Sequence, residues 1–95
     1  MTHLLPVVDF LAEALTHQAR ATWLCTVPLG VIQRDHSDIA DILKQANFDA
    51  GLAYLAALVA HIHTVRLEDG SVPLETRLTT DYARKLMWAA ARQGD

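Results

Sequence analysis

The longest uncharged segment of the chain is residues 50–65, which contain no Asp, Glu, Lys or Arg and lie between Asp49 and Arg66. The segment is rich in Ala and Leu and shows no alternation of polar and apolar residues, so it favours a helix over a strand. A helix of this length reaches about 24 Å, which is short of the roughly 30 Å hydrocarbon core of a membrane. The pattern therefore predicts a buried central helix over residues 48–67 and no membrane span.

Large and small side chains fall on opposite sides of this central helix when it is drawn at about 100° per residue. The large ones are Leu52, Leu55, Leu58, Val59, Ile62 and Val65, and the small ones are Ala50, Ala53, Ala57, Ala60 and Thr64. A helix that is apolar all round is normally covered on more than one side, and small residues let another helix approach closely. We expect the large face to meet the chain's own core, and the alanine face to meet another helix of this chain or of a second copy.

A first amphipathic helix is predicted at the N-terminal end of the chain. Apolar residues recur at helical spacing after Pro6, which suits a first helical position, and they predict a helix over residues 6–24. The segment Val27-Pro28-Leu29-Gly30 has Pro and Gly at the positions that a type I turn prefers. This turn should end the first helix.

A short second helix is predicted over residues 38–46, with Ser37 as its cap. We place a break near Asn47, where a polar residue can cap the central helix. One continuous helix across both segments stays open as an alternative, because only the weak breaker Gly51 opposes it.

A last helix is predicted over residues 81–93, after Asp69-Gly70 closes the central helix. Thr79 or Thr80 is its candidate cap. The predicted core face comprises Tyr82, Ala83, Leu86, Ala89 and Ala90. Trp88 points nearly the opposite way, beside Arg84, and aromatic residues are enriched at the buried centres of interfaces.

The composition of the 95-residue chain, 52% hydrophobic with four Gly and three Pro, indicates one globular domain over residues 1–95. The net charge of −3 provides no basic surface of the kind that binds phosphates. Cys25 is the single cysteine, which excludes an internal disulfide, and the N-terminus lacks the pattern of a signal peptide. We therefore expect a cytoplasmic protein.

No residue pattern predicts a catalytic, cofactor-binding or metal site. His61 and His63 are two positions apart, so on a helix they point in different directions and cannot share an ion. Cys25 has no signature of an orienting base nearby and is expected to be buried and inert. His61 is expected to form a hydrogen bond to Tyr54 or across an interface. An enzyme or small-ligand carrier is not expected, since it would need polar groups converging on a pocket around these residues.

The main alternative is a winged helix-turn-helix regulator with an α+β fold. Residues 36–62 fit a support helix, a turn and a recognition helix, and a wing hairpin near residues 65–78 would turn at Asp69-Gly70. The recognition helix would offer DNA no Arg, Lys, Asn or Gln between Asp49 and Val65. We therefore do not expect nucleic-acid binding, and a winged fold would fit a protein contact better.

The sequence thus predicts an all-α bundle of four to five helices packed around residues 48–67. Short amphipathic helices must cover a central helix that is apolar on all sides, and a chain of this size has little surface to spare for that task. We expect a homodimer that acts as an interaction or regulatory module by binding another protein. The expected contact residues are Ala53, Ala57, Ala60 and His61 of the central helix, with Arg84 and Trp88 of the last helix.

Overall fold

The computed structural model describes residues 6–94, in which the regular structure is helical throughout. The helices are α1 (Pro6–Ala12), α2 (His17–Thr26), α3 (Leu29–Gln45), α4 (Asp49–His63) and α5 (Leu74–Gly94). The prediction of an all-α bundle is confirmed, with five helices in the described range. None of these five helices is both long and apolar enough to cross a membrane.

The alternative winged-helix fold is wrong, because residues 64–73 form a loop and not a hairpin of strands. Asp69 Oδ1 accepts hydrogen bonds from the Ser71 backbone N–H at 2.9 Å and from the Ser71 hydroxyl at 2.6 Å. Gly70 has a φ of 86°, a left-handed conformation that favours glycine. The Asp69-Gly70 pair therefore marks a tight turn inside the loop and not the end of a helix.

The helix α4 occupies the centre of the fold, and its most extensive contacts are with α5 and α3. Its buried side chains belong to one core that comprises Val8, Leu11, Ala21, Leu24, Ile32, Ile39, Leu43, Phe48, Tyr54, Leu55, Leu58, Met87 and Ala91. The predicted central helix is confirmed in position but is shorter than residues 48–67. It ends at His63, because Thr64 adopts an extended conformation with a ψ of 136°.

The predicted break near Asn47 is confirmed, but the prediction that Asn47 caps the central helix is wrong, because the N-cap residue of α4 is Phe48. Asn47 has a φ of 58°, and its N–H donates to the Lys44 carbonyl oxygen at 3.0 Å. The Phe48 N–H donates to the Leu43 carbonyl oxygen, also at 3.0 Å. This pair of bonds is the Schellman closure of a helix, and it is completed by an apolar contact between residues in the positions of Leu43 and Phe48. The alternative of one continuous helix is therefore wrong.

The predicted first helix over residues 6–24 is wrong, because the chain forms two helices there. The Thr16 hydroxyl accepts a hydrogen bond from the Ala19 N–H at 3.0 Å and so caps α2. In a continuous helix this N–H would donate to a backbone carbonyl oxygen. A side chain that accepts from it instead favours the beginning of a new helix at this point. The Trp23 indole N–H donates to the Val7 carbonyl oxygen at 2.7 Å and holds α1 against α2.

The helix predicted over residues 38–46 corresponds to α3. It begins nine residues earlier than predicted, at Leu29 and not at residue 38. The chain does leave α2 at Val27, but Pro28 has a ψ of 140°, so the expected type I turn is wrong. Pro28 is instead the N-cap residue of α3. Ser37 lies inside α3, just after a kink at Asp35 (φ −111°, ψ 17°), and caps no helix.

The last helix also begins earlier than the predicted residue 81, at Leu74. Thr79 and Thr80 do not cap it. Their hydroxyls donate to the carbonyl oxygens of Glu75 and Thr76, each at 3.0 Å, which is how threonine satisfies its hydroxyl inside a helix. The threonines therefore lower the helix propensity of this segment without ending the helix.

Candidate interaction surfaces

A row of large apolar side chains runs along the solvent side of α5 at every fourth residue. We call it the α5 row, and it comprises Leu74, Leu78, Tyr82 and Leu86, which are 59%, 58%, 65% and 49% exposed. The predicted core face of this helix is therefore wrong for Tyr82, Leu86 and the exposed Ala89. Residues four apart are neighbours on a helix, so the row forms one continuous ridge.

The side of α5 that faces the core carries smaller residues. Thr80, Met87 and Ala91 are buried there, and Ala83 is half-buried. Small residues let two helix backbones come close together, and the side of α4 that meets α5 already supplies Tyr54 and Leu58. The inward side can be identified in the sequence by the 4-3-4-4 spacing of Thr76, Thr80, Ala83, Met87 and Ala91. The residues of the α5 row are more hydrophobic, so hydrophobicity alone selects the wrong side as the core face.

The expected contact residues of α4 separate into two groups. Ala53 and Ala60 are exposed, whereas Ala57 and His61 are half-buried on the side of α4 that approaches α5. His61 Nδ1 lies 3.4 Å from the Thr80 hydroxyl oxygen, so its partner belongs to the same chain and is not Tyr54. One flank of the alanine face is thus already covered by α5.

The expected contact residues of α5 also differ in their surroundings. Arg84 is partly exposed and pairs with Asp81 at 2.8 Å. Trp88 is half-buried and packs against the core, so the prediction that it points away from the core is wrong. The structure brings Arg84 and His61 to one cleft and leaves Trp88 as a covering residue of the core.

An open groove of about 600 Å³ lies between α3 and α4, along the edge of the alanine face that α5 does not cover. Its walls are mostly apolar and include Leu52, Ala56 and Val59 of α4 with Ala40 of α3. Polar side chains of both helices, among them Asp41, also line it. The exposed Ala60 borders this groove, so part of the predicted contact surface continues into it.

A smaller cleft of about 260 Å³ lies between α4 and α5, and we call it the α4/α5 cleft. Its lining residues are Leu29, Tyr54, Leu58, His61, Ile62, Arg77, Thr80, Asp81 and Arg84. Burial, with a further contribution from the Cys25 thiol group, raises the pKa of Tyr54 above its ordinary value, and Arg84 acts in the opposite direction. The cleft therefore combines a buried phenol with two guanidinium groups.

The cysteine and the histidines form no metal site in the described chain. Cys25 is exposed on α2, so the expectation of a buried thiol is wrong. Within residues 6–94, no three side chains among His, Cys, Asp and Glu are placed to hold one metal ion.

Comparison with known proteins gives no functional assignment. The chain matches no protein-family model, no curated protein and no solved structure at a significant level. The surfaces of the molecule are therefore the basis for a functional proposal.

Proposed function

We propose that the chain is a helix-mediated interaction module that acts by binding and not by catalysis, and that its first partner is a second copy of itself. The single observation that carries the proposal is the α5 row, whose four side chains are each about half or more exposed. Soluble monomers rarely expose contiguous apolar patches larger than a few hundred Å².

A second copy is a suitable partner because the α5 row is self-complementary in shape. Ridges formed by residues four apart pack into the grooves beside the same ridges of another helix, and the two helices then cross at about −50°. Two α5 helices can meet in this way around Leu78 and Tyr82, the central members of the row. The ends of crossed helices diverge, so Leu74 and Leu86 should contribute less.

The size of the row limits the expected affinity. Removing the exposed half of a leucine or tyrosine side chain from water contributes roughly 1 kcal/mol, and two copies supply about eight such side chains. Association costs roughly 4–15 kcal/mol in lost freedom of motion, so the row alone supports only a weak dimer. The net gain is then at most about 4 kcal/mol, so we expect a dissociation constant near 1 mM.

The row fits this role better than the alanine face of α4. Each exposed alanine offers a single methyl group, whereas the exposed part of a leucine or tyrosine offers several times more apolar area. Ala57 and His61 also already contact the α5 side of the same chain. Ala53 and Ala60 stay as predicted contact residues outside the centre of this proposed dimer.

Sedimentation measurements across concentrations from about 10 μM to 1 mM would test the proposal. The wild-type chain should shift from monomer toward dimer, and Leu78→Glu and Tyr82→Glu should each keep it monomeric. Leu15→Glu is the matched control, because Leu15 is 91% exposed in the segment between α1 and α2 and does not belong to the row. A monomer at every concentration, or equal loss of dimer in the control, would contradict the proposal.

A further inference from the structure

The α4/α5 cleft has a composition that suits a charged small molecule. We propose that this cleft binds a small organic anion, with a carboxylate held by Arg77 and Arg84 and a short apolar body packed against Leu58 and Ile62. The cleft does not include the α5 row, so this proposal stands independently of dimer formation.

The charge of the cleft is carried by α5. Arg77 and Arg84 are seven residues apart, two helical turns, so both guanidinium groups lie on the same side of the helix. Within residues 6–94, the Arg77 side chain has no hydrogen-bond or ion-pair partner. Arginine presents several N–H donors in a planar fork that matches a carboxylate, and Arg77 has this fork available.

A single carboxylate in the cleft opposes these two cations. Asp81 Oδ1 lies 2.8 Å from Arg84 Nη2, and both side chains are about half exposed. The cleft therefore holds two guanidinium groups against one carboxylate, and an incoming anion would complete the charge balance. Asp81 competes with that anion for Arg84, so removal of the Asp81 charge should strengthen binding of the anion.

The inner wall of the cleft is polar on one side and apolar on the other. Thr80 and Tyr54, which are only 7% and 4% exposed, form the polar side. Leu29, Leu58 and Ile62 form the apolar side. A ligand that fits both sides has a polar group at one end and an apolar body at the other.

The volume of the cleft sets the size of the ligand. At about 260 Å³, the cleft lies just below the roughly 300–1,000 Å³ range of typical ligand pockets. That space suits one aromatic ring or a chain of a few carbons, and it is small for a nucleotide. A ligand of this size is expected to bind with a millimolar dissociation constant.

Titration of the ¹⁵N-labelled chain with benzoate and with hexanoate, followed by NMR, would test the proposal. Amide signals of residues 58–62 and 77–84 should shift with at least one of the two carboxylates. Benzamide and hexanamide are the neutral controls of matched shape, and each should bind about tenfold or more weakly than its acid. Absence of cleft shifts with both carboxylates up to about 20 mM, or equal binding of acid and amide, would overturn the proposal.

Three substitutions distinguish recognition of charge from a change in fold. Arg77→Gln and Arg84→Gln should each weaken binding of the carboxylate about tenfold, because each removes a charge-assisted hydrogen bond. Asp81→Asn should strengthen it, because it releases Arg84 from its partner. Arg92→Gln, on α5 outside the cleft, is the control and should leave affinity unchanged. Weaker binding in Asp81→Asn, or equal loss in the control, would overturn the assignment.

Discussion

The helices α4 and α5 pack against each other, but α4 directs large side chains into the core whereas α5 directs a row of them toward solvent. In α4, Leu58 is buried and Ala53 is exposed, whereas in α5, Ala91 is buried and Leu78 is exposed. Two helices cannot both present bulky faces to each other and keep their backbones close. The orientation of α5 is therefore determined by α4, which already fills the space between them. The most hydrophobic face of a helix is not always the face it buries in its own chain.

Substitution of two neighbouring residues of α5 gives the largest expected effect. Met87 is fully buried and Leu86 is 49% exposed, so Met87→Ala should lower the free energy of unfolding by about 2–5 kcal/mol and Leu86→Ala by much less. Chemical denaturation at several protein concentrations would measure both. The loss in Leu86→Ala should grow with concentration, because it removes a contact between copies, whereas the loss in Met87→Ala should not. Equal losses would contradict the assignment of Met87 to the inward side of α5 and of Leu86 to the outward side.

A second pair of substitutions tests how tightly the buried side of α4 is packed. A Cβ atom at Gly51 would lie 2.5 Å from Phe48 Cδ2, and the Phe48 ring is buried and stacked on His17 with centroids 4.3 Å apart. Gly51→Ala should therefore cost about 1–3 kcal/mol through overpacking, despite the better helix propensity of alanine.

Gly30→Ala is the matched control for this packing test. No atom lies within 4 Å of a Cβ built at Gly30 in α3, so alanine should be neutral or stabilise the fold by up to about 1 kcal/mol. Thermal unfolding monitored by circular dichroism would compare the two variants. Stabilisation by both would show that the Phe48 ring can move aside, and that the side of α4 near Gly51 is looser than the structure indicates.

The smallest expected effect concerns pH and the contact between the two helices. Burial raises the pKa of Tyr54, so above pH 10, the ordinary value, the unfolded chain loses the phenol proton while the folded chain keeps it. The free energy of unfolding should therefore fall as pH rises through this range. Tyr54→Phe should fall less steeply in denaturation series between about pH 9 and pH 11. Tyr82→Phe is the matched control for loss of a phenol on the exposed side, and identical slopes in both variants would contradict a buried Tyr54.

Local signals in the sequence predicted the centre of the fold well. The uncharged run located α4, and Asn47 located the break before it, because both depend on residues close together in the chain. The division of the first helix was missed, since it depends on Thr16 capping α2 and on a hydrogen bond between Trp23 and Val7. The Thr16 cap is a local contact that hydrophobic spacing does not reveal, and the hydrogen bond between Trp23 and Val7 forms only after the chain has folded back.

The candidate surfaces were predicted less well than the fold, for a related reason. His61 and Arg84 were singled out in the sequence, but as contacts of a dimer and not as two walls of one cleft. The cleft also needs Arg77 and Thr80, and its composition depends on which side of α5 meets α4. The wrong core face for α5 therefore concealed both the exposed row and the cleft.

The hydrogen bond between Trp23 and Val7 affects the order in which parts of the molecule unfold. Within the described chain the backbone of α1 lies close only to the backbones of α2 and α3, and its seven residues are too few to stay helical alone. Release of α1 should thus be the least costly partial unfolding event, with its amides exchanging hydrogen for deuterium first and those of α4 last. Trp23→Phe should accelerate exchange in α1 while leaving α4 almost unaffected.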